Sequence, residues 1–268
     1  MDDRDEEGTS FHVPLSRITI APNEKLVAFL LEVKEDRIGI IKDIADILKS
    51  HGINMHYISA FIEGGKGGVY LVANVREEPI IELLKEKFSR IEGIGRVIHQ
   101  PCEVEGLLID DINFPLMRYG DRVFTLTERC WSSLRNNLIS MVEPQAYYAL
   151  IFRLGLEMGK GFAETYLEIA RRAGIEEPMD VIRFIMVKML AASGWAKASL
   201  EESEDGLRII LKDNLEAEAS GRTEGPSCYF TKGVLSGTLS RILRIPVEVN
   251  EVKCRAAGAQ HCEFSIKY

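Results

Sequence analysis

Three sulfurs and a carboxylate in the C-terminal part of this 268-residue chain are the residues best suited to do chemistry. Cys228, Cys254 and Cys262 are three of its five cysteines; Glu251 stands three residues before Cys254, and His261 adjoins Cys262. Thiolate, imidazole and carboxylate are the groups that close a tetrahedral zinc site. The spacing is not that of paired C-x-x-C motifs, and buried free thiols are ordinary core residues, so spacing alone weighs metal and core about equally. Glu251 and His261 compete for the fourth position.

For these groups to meet, local elements must bring them together. A helix is expected from about Ser227 to Leu243, with Cys228 at its start. Two strands, Val247–Ala256 and Cys262–Lys267, are hinged at Gly258, so a hairpin would carry Cys254 toward Cys262. Upstream, the pattern predicts a weak hairpin (Pro115–Tyr119 with Arg122–Thr125) and helices over Thr127–Val142, Pro144–Ala173 and Pro178–Ser193. A strand pair, Trp195–Glu202 and Leu207–Asp213, follows around Glu204-Asp205-Gly206. Gly155, Gly159 and Gly161 sit inside a helix, where they permit close packing rather than phosphate binding.

The first third reads differently. Leu26–Val33 is an apolar run suited to a buried strand. Ile40, Ile41, Ile44, Ile47 and Leu48 then share one helical face that ends at Gly52. Asn54–Ile62 and Val69–Val75 read as strands joined by a glycine-rich turn, Glu63–Gly68. That turn lacks the Gly-Lys-Ser/Thr ending and the following helix of a phosphate loop. A second helix opens at Pro79 with Ile80, Ile81, Leu83, Leu84 and Phe88 inward, and Gly95–Val104 closes the unit. Strand, helix, strand, strand, helix, strand is a ferredoxin-like βαββαβ order. The reading divides the chain into an acidic tail and lead-in (1–22), a first domain (23–104) and a second (105–268).

Composition narrows the function. A net charge of −8 with 46% hydrophobic and 28% charged residues describes a globular chain without the basic face of a nonspecific nucleic-acid or anionic-membrane binder. The acidic opening residues are not a signal peptide, and no apolar run approaches a membrane span, so a cytoplasmic protein is expected. The five histidines, His12, His51, His56, His99 and His261, support no catalytic triad, and no catalytic residue is nominated. Tyr148, Phe152, Phe162, Phe184 and Trp195 are the aromatics expected to line an apolar ligand pocket. Ordinary core is the competing account for each.

The run Cys228-Tyr-Phe-Thr-Lys-Gly233-Val-Leu-Ser-Gly237, then Glu251-Val-Lys-Cys254 and Gly258-Ala-Gln-His-Cys262-Glu-Phe264, resembles the end of a V4R (4-vinyl reductase) domain. That family includes aromatic-sensing modules of bacterial transcriptional regulators, in which three cysteines and a glutamate bind zinc. The resemblance covers roughly Gly106 to Tyr268. It implies a mixed α/β domain with helices on an antiparallel sheet, and a structural zinc on Cys228, Glu251, Cys254 and Cys262. Lys253 or Arg255 would offset part of the site's charge. The family's name comes from vinyl-group reduction, and its fold is related to a subunit of a vesicle-tethering complex. A reductase or accessory factor and an interaction scaffold are therefore the rival functions.

Lys34-Glu-Asp36-Arg-Ile-Gly39-Ile-Ile-Lys-Asp-Ile44 with His51-Gly-Ile-Asn54-Met resembles an ACT domain across Lys25–Pro101, with Ile38 where that family often has proline. The resemblance implies an effector site on Asp36, Arg37, Ile38, Gly39 and Asn54, an amino acid as ligand, and a homodimer. Together the two resemblances imply an α+β regulator that senses an amino acid or a small hydrophobic or aromatic compound. Neither nucleic acid nor membrane is expected as a direct partner.

Overall fold

The computed structural model describes residues 17–118, 120–203 and 206–268. The acidic tail with His12, and Glu204 and Asp205 of the expected turn, lie outside the described residues. The chain divides into two compact units, the first ending at Leu116 and the second beginning at Met117.

In the first unit β1 (Ile18–Ile20) and β2 (Leu26–Val33) precede α1 (Ile40–Ser50). Then come β3 (Met55–Glu63), β4 (Lys66–Asn74), α2 (Glu78–Ser89), β5 (Ile94–Pro101) and β6 (Leu107–Ile109). The main sheet runs β3-β4-β2-β5, antiparallel throughout, which is the split βαβ arrangement. The apolar run of β2 makes sense in the centre, where both faces are covered. Val27, Phe29, Leu31 and Val33 pack with the apolar faces of α1 and α2. Leu26 and Ala28 join Tyr70, Val72 and Leu108 on the other face.

That second face is covered by a β1–β6 ribbon, with Thr19 opposite Leu108. The ribbon's end is tied by Asp110, whose carboxylate pairs with the Arg17 guanidinium and accepts from the Asn113 side chain at 2.8 Å. The expected lead-in to residue 22 therefore contains a strand, and the chain beyond residue 104 returns to the first unit. Three residues each, Ile-Thr-Ile and Leu-Leu-Ile, are too few for alternation to announce a strand in sequence. The glycine-rich turn is also tighter than expected. Glu63 pairs with Lys66, leaving a two-residue turn of Gly64 and Gly65, both with positive φ.

The second unit opens with a small hairpin, β7 (Met117–Arg118) and β8 (Asp121–Arg122). Then come α3 (Glu128–Met141) and the unbroken 30-residue α4 (Pro144–Ala173). A further helical stretch follows: α5 (Pro178–Asp180), a π-helical turn (Val181–Met186) and α6 (Val187–Ala192). β9 (Lys197–Ser203), β10 (Gly206–Lys212), α7 (Leu215–Ser220), α8 (Tyr229–Leu243), β11 (Glu248–Lys253) and β12 (Cys262–Lys267) complete it. The sheet is antiparallel, β11-β12-β10-β9. The reading anticipated neither α7 nor the π turn.

α8 is the centre of this unit. Leu235, Leu239 and Ile242 share a core with Ile209, Leu211, Phe264 and Ile266 of the sheet. Phe230 and Val234 share another with Tyr147 and Ile151 of α4. Glycine lets α4 and α8 meet backbone to backbone. A Cβ on Gly155 would lie 2.2 Å from the Phe230 carbonyl oxygen, and one on Gly159 2.2 Å from that of Val234. On the facing helix, Gly233 and Gly237 would meet the carbonyl oxygens of Phe152 and Leu156 at 2.2 and 2.0 Å. Both numberings advance together, so the two helices run in the same direction. Gly161 has nothing within 4 Å of its Cβ position and takes no part.

Gly233→Ala should therefore lower stability by about 1–3 kcal/mol, because rigid backbone must yield to the methyl group. Gly161→Ala on the open side should be neutral or stabilise by up to about 1 kcal/mol. Urea midpoints of the two variants test the contrast, and equal midpoints would contradict it.

Candidate metal centre and aromatic cluster

Each of the four C-terminal ligand candidates is placed by a different local device. Cys228 is the N-cap residue of α8. Glu251 lies on β11 beside a register shift between Glu251 and Lys253, which turns the strand. Cys254 stands just past β11, at the head of a turn in which the N–H groups of Ala257 and Ala259 both donate to its carbonyl at 3.1 Å. Expectation had placed it within the strand. Cys262 opens β12 opposite Leu211.

The ligand atoms of Cys228, Glu251, Cys254 and Cys262 all lie within 4.8 Å of one another. The Cys228 sulfur is 3.8 Å from each of the other two sulfurs. A disulfide would need about 2.05 Å, whereas a tetrahedron with metal–sulfur bonds of about 2.3 Å has sulfur–sulfur edges of about 3.8 Å. Glu251 Oε2 accepts the Cys228 N–H at 3.0 Å. Its Oε1 is buried with no hydrogen-bond partner among the described residues, as a metal-ligand oxygen would be. These residues fit a closed four-ligand zinc site, in which a bound ion would supply cross-linking rather than an open coordination position.

Electrostatics explain why such a cluster wants a cation. Burial pushes the Glu251 carboxyl up to about 8. Hydrogen bonds from the Cys228 and Cys262 thiols hold Cys254 far below the ordinary thiol range. The Cys228 thiol's own bonds to Cys254 and Cys262, with burial, push Cys228 far above it. One negative charge is tolerated and the next is resisted.

The neutralising groups are not the expected ones. Lys253 bonds Glu263 at 2.6 Å, and the Arg255 guanidinium pairs with Glu218 at 2.5 Å. Neutral N–H donors face the sulfurs instead: Arg255 N to Cys262 at 3.4 Å, and Asn214 Nδ2 to Cys228 at 3.4 Å and to Cys262 at 3.7 Å. His261 lies outside the four-atom set, with Nε2 3.8 Å from Glu263.

Short α7 supports the same corner. Its N-cap Asn214 is fully buried, and Glu216 accepts the N–H groups of Phe230 at 2.9 Å and Thr231 at 2.6 Å. With Glu251 on Cys228, the first N–H groups of α8 are thus taken by two carboxylates at the positive end of the helix. Burial pushes Glu216 up to about 7 despite those bonds.

Beside this corner the aromatics gather. Tyr148 stacks on Tyr229 at 4.2 Å, Trp195 on Phe230 at 5.4 Å, and Trp131 tilts against Phe230 at 4.7 Å. Of the expected pocket residues, Tyr148, Phe162 and Trp195 belong to this cluster. Phe152 lies under the Lys232 ammonium at 6.0 Å. Phe184 is 55% exposed with Arg183 over its ring, so it does not line an interior site. The reading missed Trp131, whose Nε1 is buried with no hydrogen-bond partner among the described residues. An open groove of about 650 Å³, lined by Ser133, Leu138 and Met141 among others, runs along the same helix.

In the first unit the expected effector residues separate. Gly39 has φ 102° and begins α1; Arg37 holds Asp43 at 2.5 Å and the Glu92 carbonyl at 3.1 Å; Ile38 is fully exposed. The Asp36 N–H donates to Gly65 at that end of the sheet. Asn54 lies at the other end of α1, where its carbonyl accepts from Asn74, in a groove of about 450 Å³ with Leu48, Gly52 and Met55. An 11-residue helix spans about 16 Å, so these residues do not form one site within a single chain.

Comparison with known proteins gives a V4R domain match over residues 207–268. The chain is 27% identical over 119 residues to the uncharacterized protein MJ0150 of Methanocaldococcus jannaschii, covering 44% of this chain and 64% of that protein. It is 43% identical over 44 residues to MJ0745 of the same organism, 16% of this chain and 24% of that one. It thus spans less than two thirds of either relative.

Among solved structures, the phenol-responsive sensory domain of the transcription activator PoxR aligns at 16% identity and TM-score 0.49, covering 55% of this chain and 77% of that one. A vinyl-4-reductase family protein from Methanocaldococcus jannaschii aligns at 18% and TM-score 0.33, covering 55% and 98%. The ACT domain of a Chlorobium tepidum GTP pyrophosphokinase aligns at 18% and TM-score 0.26, covering 29% and 99%. Cys228, Glu251, Cys254 and Cys262 all fall within the segment matching the V4R domain.

Glu216 sets a pH dependence. Its carboxyl is raised from the ordinary 4.5 to about 7 in the folded chain. Below 4.5 it is protonated in both states. Above that the unfolded chain loses the proton first, so stability should fall as pH rises from about 4.5 to 7. Glu216→Gln should remove that component, read as a flatter urea midpoint across the interval.

Proposed function

We propose that this chain is a small-molecule-sensing regulatory protein, joining an ACT-like effector and dimerisation domain to a zinc-stabilised V4R ligand-binding domain. The observation that carries the reading is the buried Trp131 indole N–H, which has no hydrogen-bond partner among the described residues and lies inside an aromatic cluster. A buried donor without an acceptor costs roughly 1–3 kcal/mol. A small aromatic compound with a phenolic, carbonyl or carboxylate oxygen would satisfy it while stacking on the surrounding rings. The V4R match over the adjoining sheet and α8 supports the same reading.

In the first unit, Asp36–Gly39 and Asn54 stand at opposite ends of α1, so an amino-acid site using both would be assembled from two copies of the chain. Among the described residues no helix is long and apolar enough to cross a membrane.

Native mass spectrometry should find one zinc per chain, released by Cys254→Ala. With free zinc a thousandfold above Kd, the bound ion adds about 4 kcal/mol of apparent stability that the variant lacks. A metal-free wild type prepared with zinc present would sink the assignment. A thermal-shift series of phenols and aromatic acids should raise Tm, and Trp131→Phe should weaken binding by about tenfold while leaving the fold and zinc content unchanged. Equal affinities in the two proteins would remove Trp131 from the site.

A further inference from the structure

We infer that Asn214 is a positioning residue of the metal centre, and that its side chain is oriented by a hydrogen-bond chain that begins at Trp195 in the aromatic cluster. The inference rests on the metal reading above and adds to it a physical link between cluster and centre.

The directions of the bonds follow from what each group can do. An indole N–H only donates. Trp195 Nε1 lies 3.2 Å from Thr231 Oγ1, so the threonine hydroxyl accepts there and has its own proton left to give. Asn214 Oδ1, 3.5 Å away, takes it, and also accepts the Glu216 N–H at 3.4 Å. Two donors on one amide oxygen fix the amide's orientation. Its NH₂ group must then face the other way, where Nδ2 meets the sulfurs of Cys228 and Cys262.

Asn214 and Thr231 are both fully buried, so no solvent competes for these bonds. Three thiolates and a carboxylate around a dication leave a net charge of about −2. Neither Lys253 nor Arg255 offers its cationic head to it, since each is paired elsewhere. The Asn214 amide is the side chain that supplies N–H donors to two of the three sulfurs. A ligand that displaces Trp195 would loosen Thr231 and, through it, the amide that steadies those sulfurs.

The test uses the full chain loaded with cobalt(II), whose sulfur-to-metal charge-transfer band reports electron density on the thiolates, together with chelator competition for affinity. Asn214→Leu should shift the band to lower energy and weaken metal binding on the order of 10–100-fold. Thr231→Val keeps the amide but removes the proton that directs it. It should shift the band the same way by less, and add nothing in the Leu background. Trp195→Phe should resemble Thr231→Val.

Far-UV circular dichroism identifies any variant that has merely unfolded, and Thr231→Val keeps the question open to test if Asn214→Leu does. A wild-type chain with no band would sink the metal reading and this inference with it. A wild-type band left unmoved by Asn214→Leu and Thr231→Val would overturn the inference alone, as would weaker binding with no spectral shift.

Discussion

Four groups that carry or acquire negative charge are held within 4.8 Å of one another in the interior of the second unit, and much of that unit is arranged to make this tolerable. Hydrogen bonds among the thiols favour charge on Cys254 and, with burial, oppose it on Cys228. The opposing favourable features converge on one point, the start of α8. There the free helix N–H groups face Glu251 and Glu216, and the Asn214 amide faces the sulfurs. The strand irregularity before Cys254 and the turn after it bring a carboxylate and a sulfur to the same helix end.

What was legible in the sequence was the part set by local spacing and uncommon residue types. Three cysteines around a glycine hinge stand out by type, although spacing alone weighed metal and core about equally and left Glu251 competing with His261. The glycines of α4 could be read as packing positions because they lie inside a helix. Gly155 and Gly159 fulfil that role while Gly161 does not; only the partner helix distinguishes them. Asn214 carried no signal, since a lone asparagine after a strand reads as a turn residue. Its importance comes from sulfurs 14 and 48 positions away. Trp131 was hidden for the same reason, and Phe184 misled because an aromatic on a helix has no sign of which face meets solvent.

The first unit shows the same division between local and long-range information. Its βαββαβ order follows from alternating apolar runs and glycine turns, and the sheet adopts it. The β1–β6 ribbon does not follow, because each strand has three residues and gains its place only by covering the sheet's second face. The effector residues were grouped by sequence motif, yet α1 holds them apart.

The side-by-side, same-direction packing of α4 and α8 has a consequence for how the chain acquires its structure. Parallel helices cannot be joined by a short loop, so the whole segment between Ala173 and Tyr229, with β9, β10 and α7, must cross back before the glycine faces can meet. Closing so long a loop is entropically unfavourable and makes the contact a late, slow event. Cys228 rides at the head of α8, whereas Glu251, Cys254 and Cys262 are neighbours in one hairpin. The hairpin brings its three groups together locally, whereas Cys228 joins them from the head of α8, 23 residues before Glu251, and so reaches the site without waiting for α4.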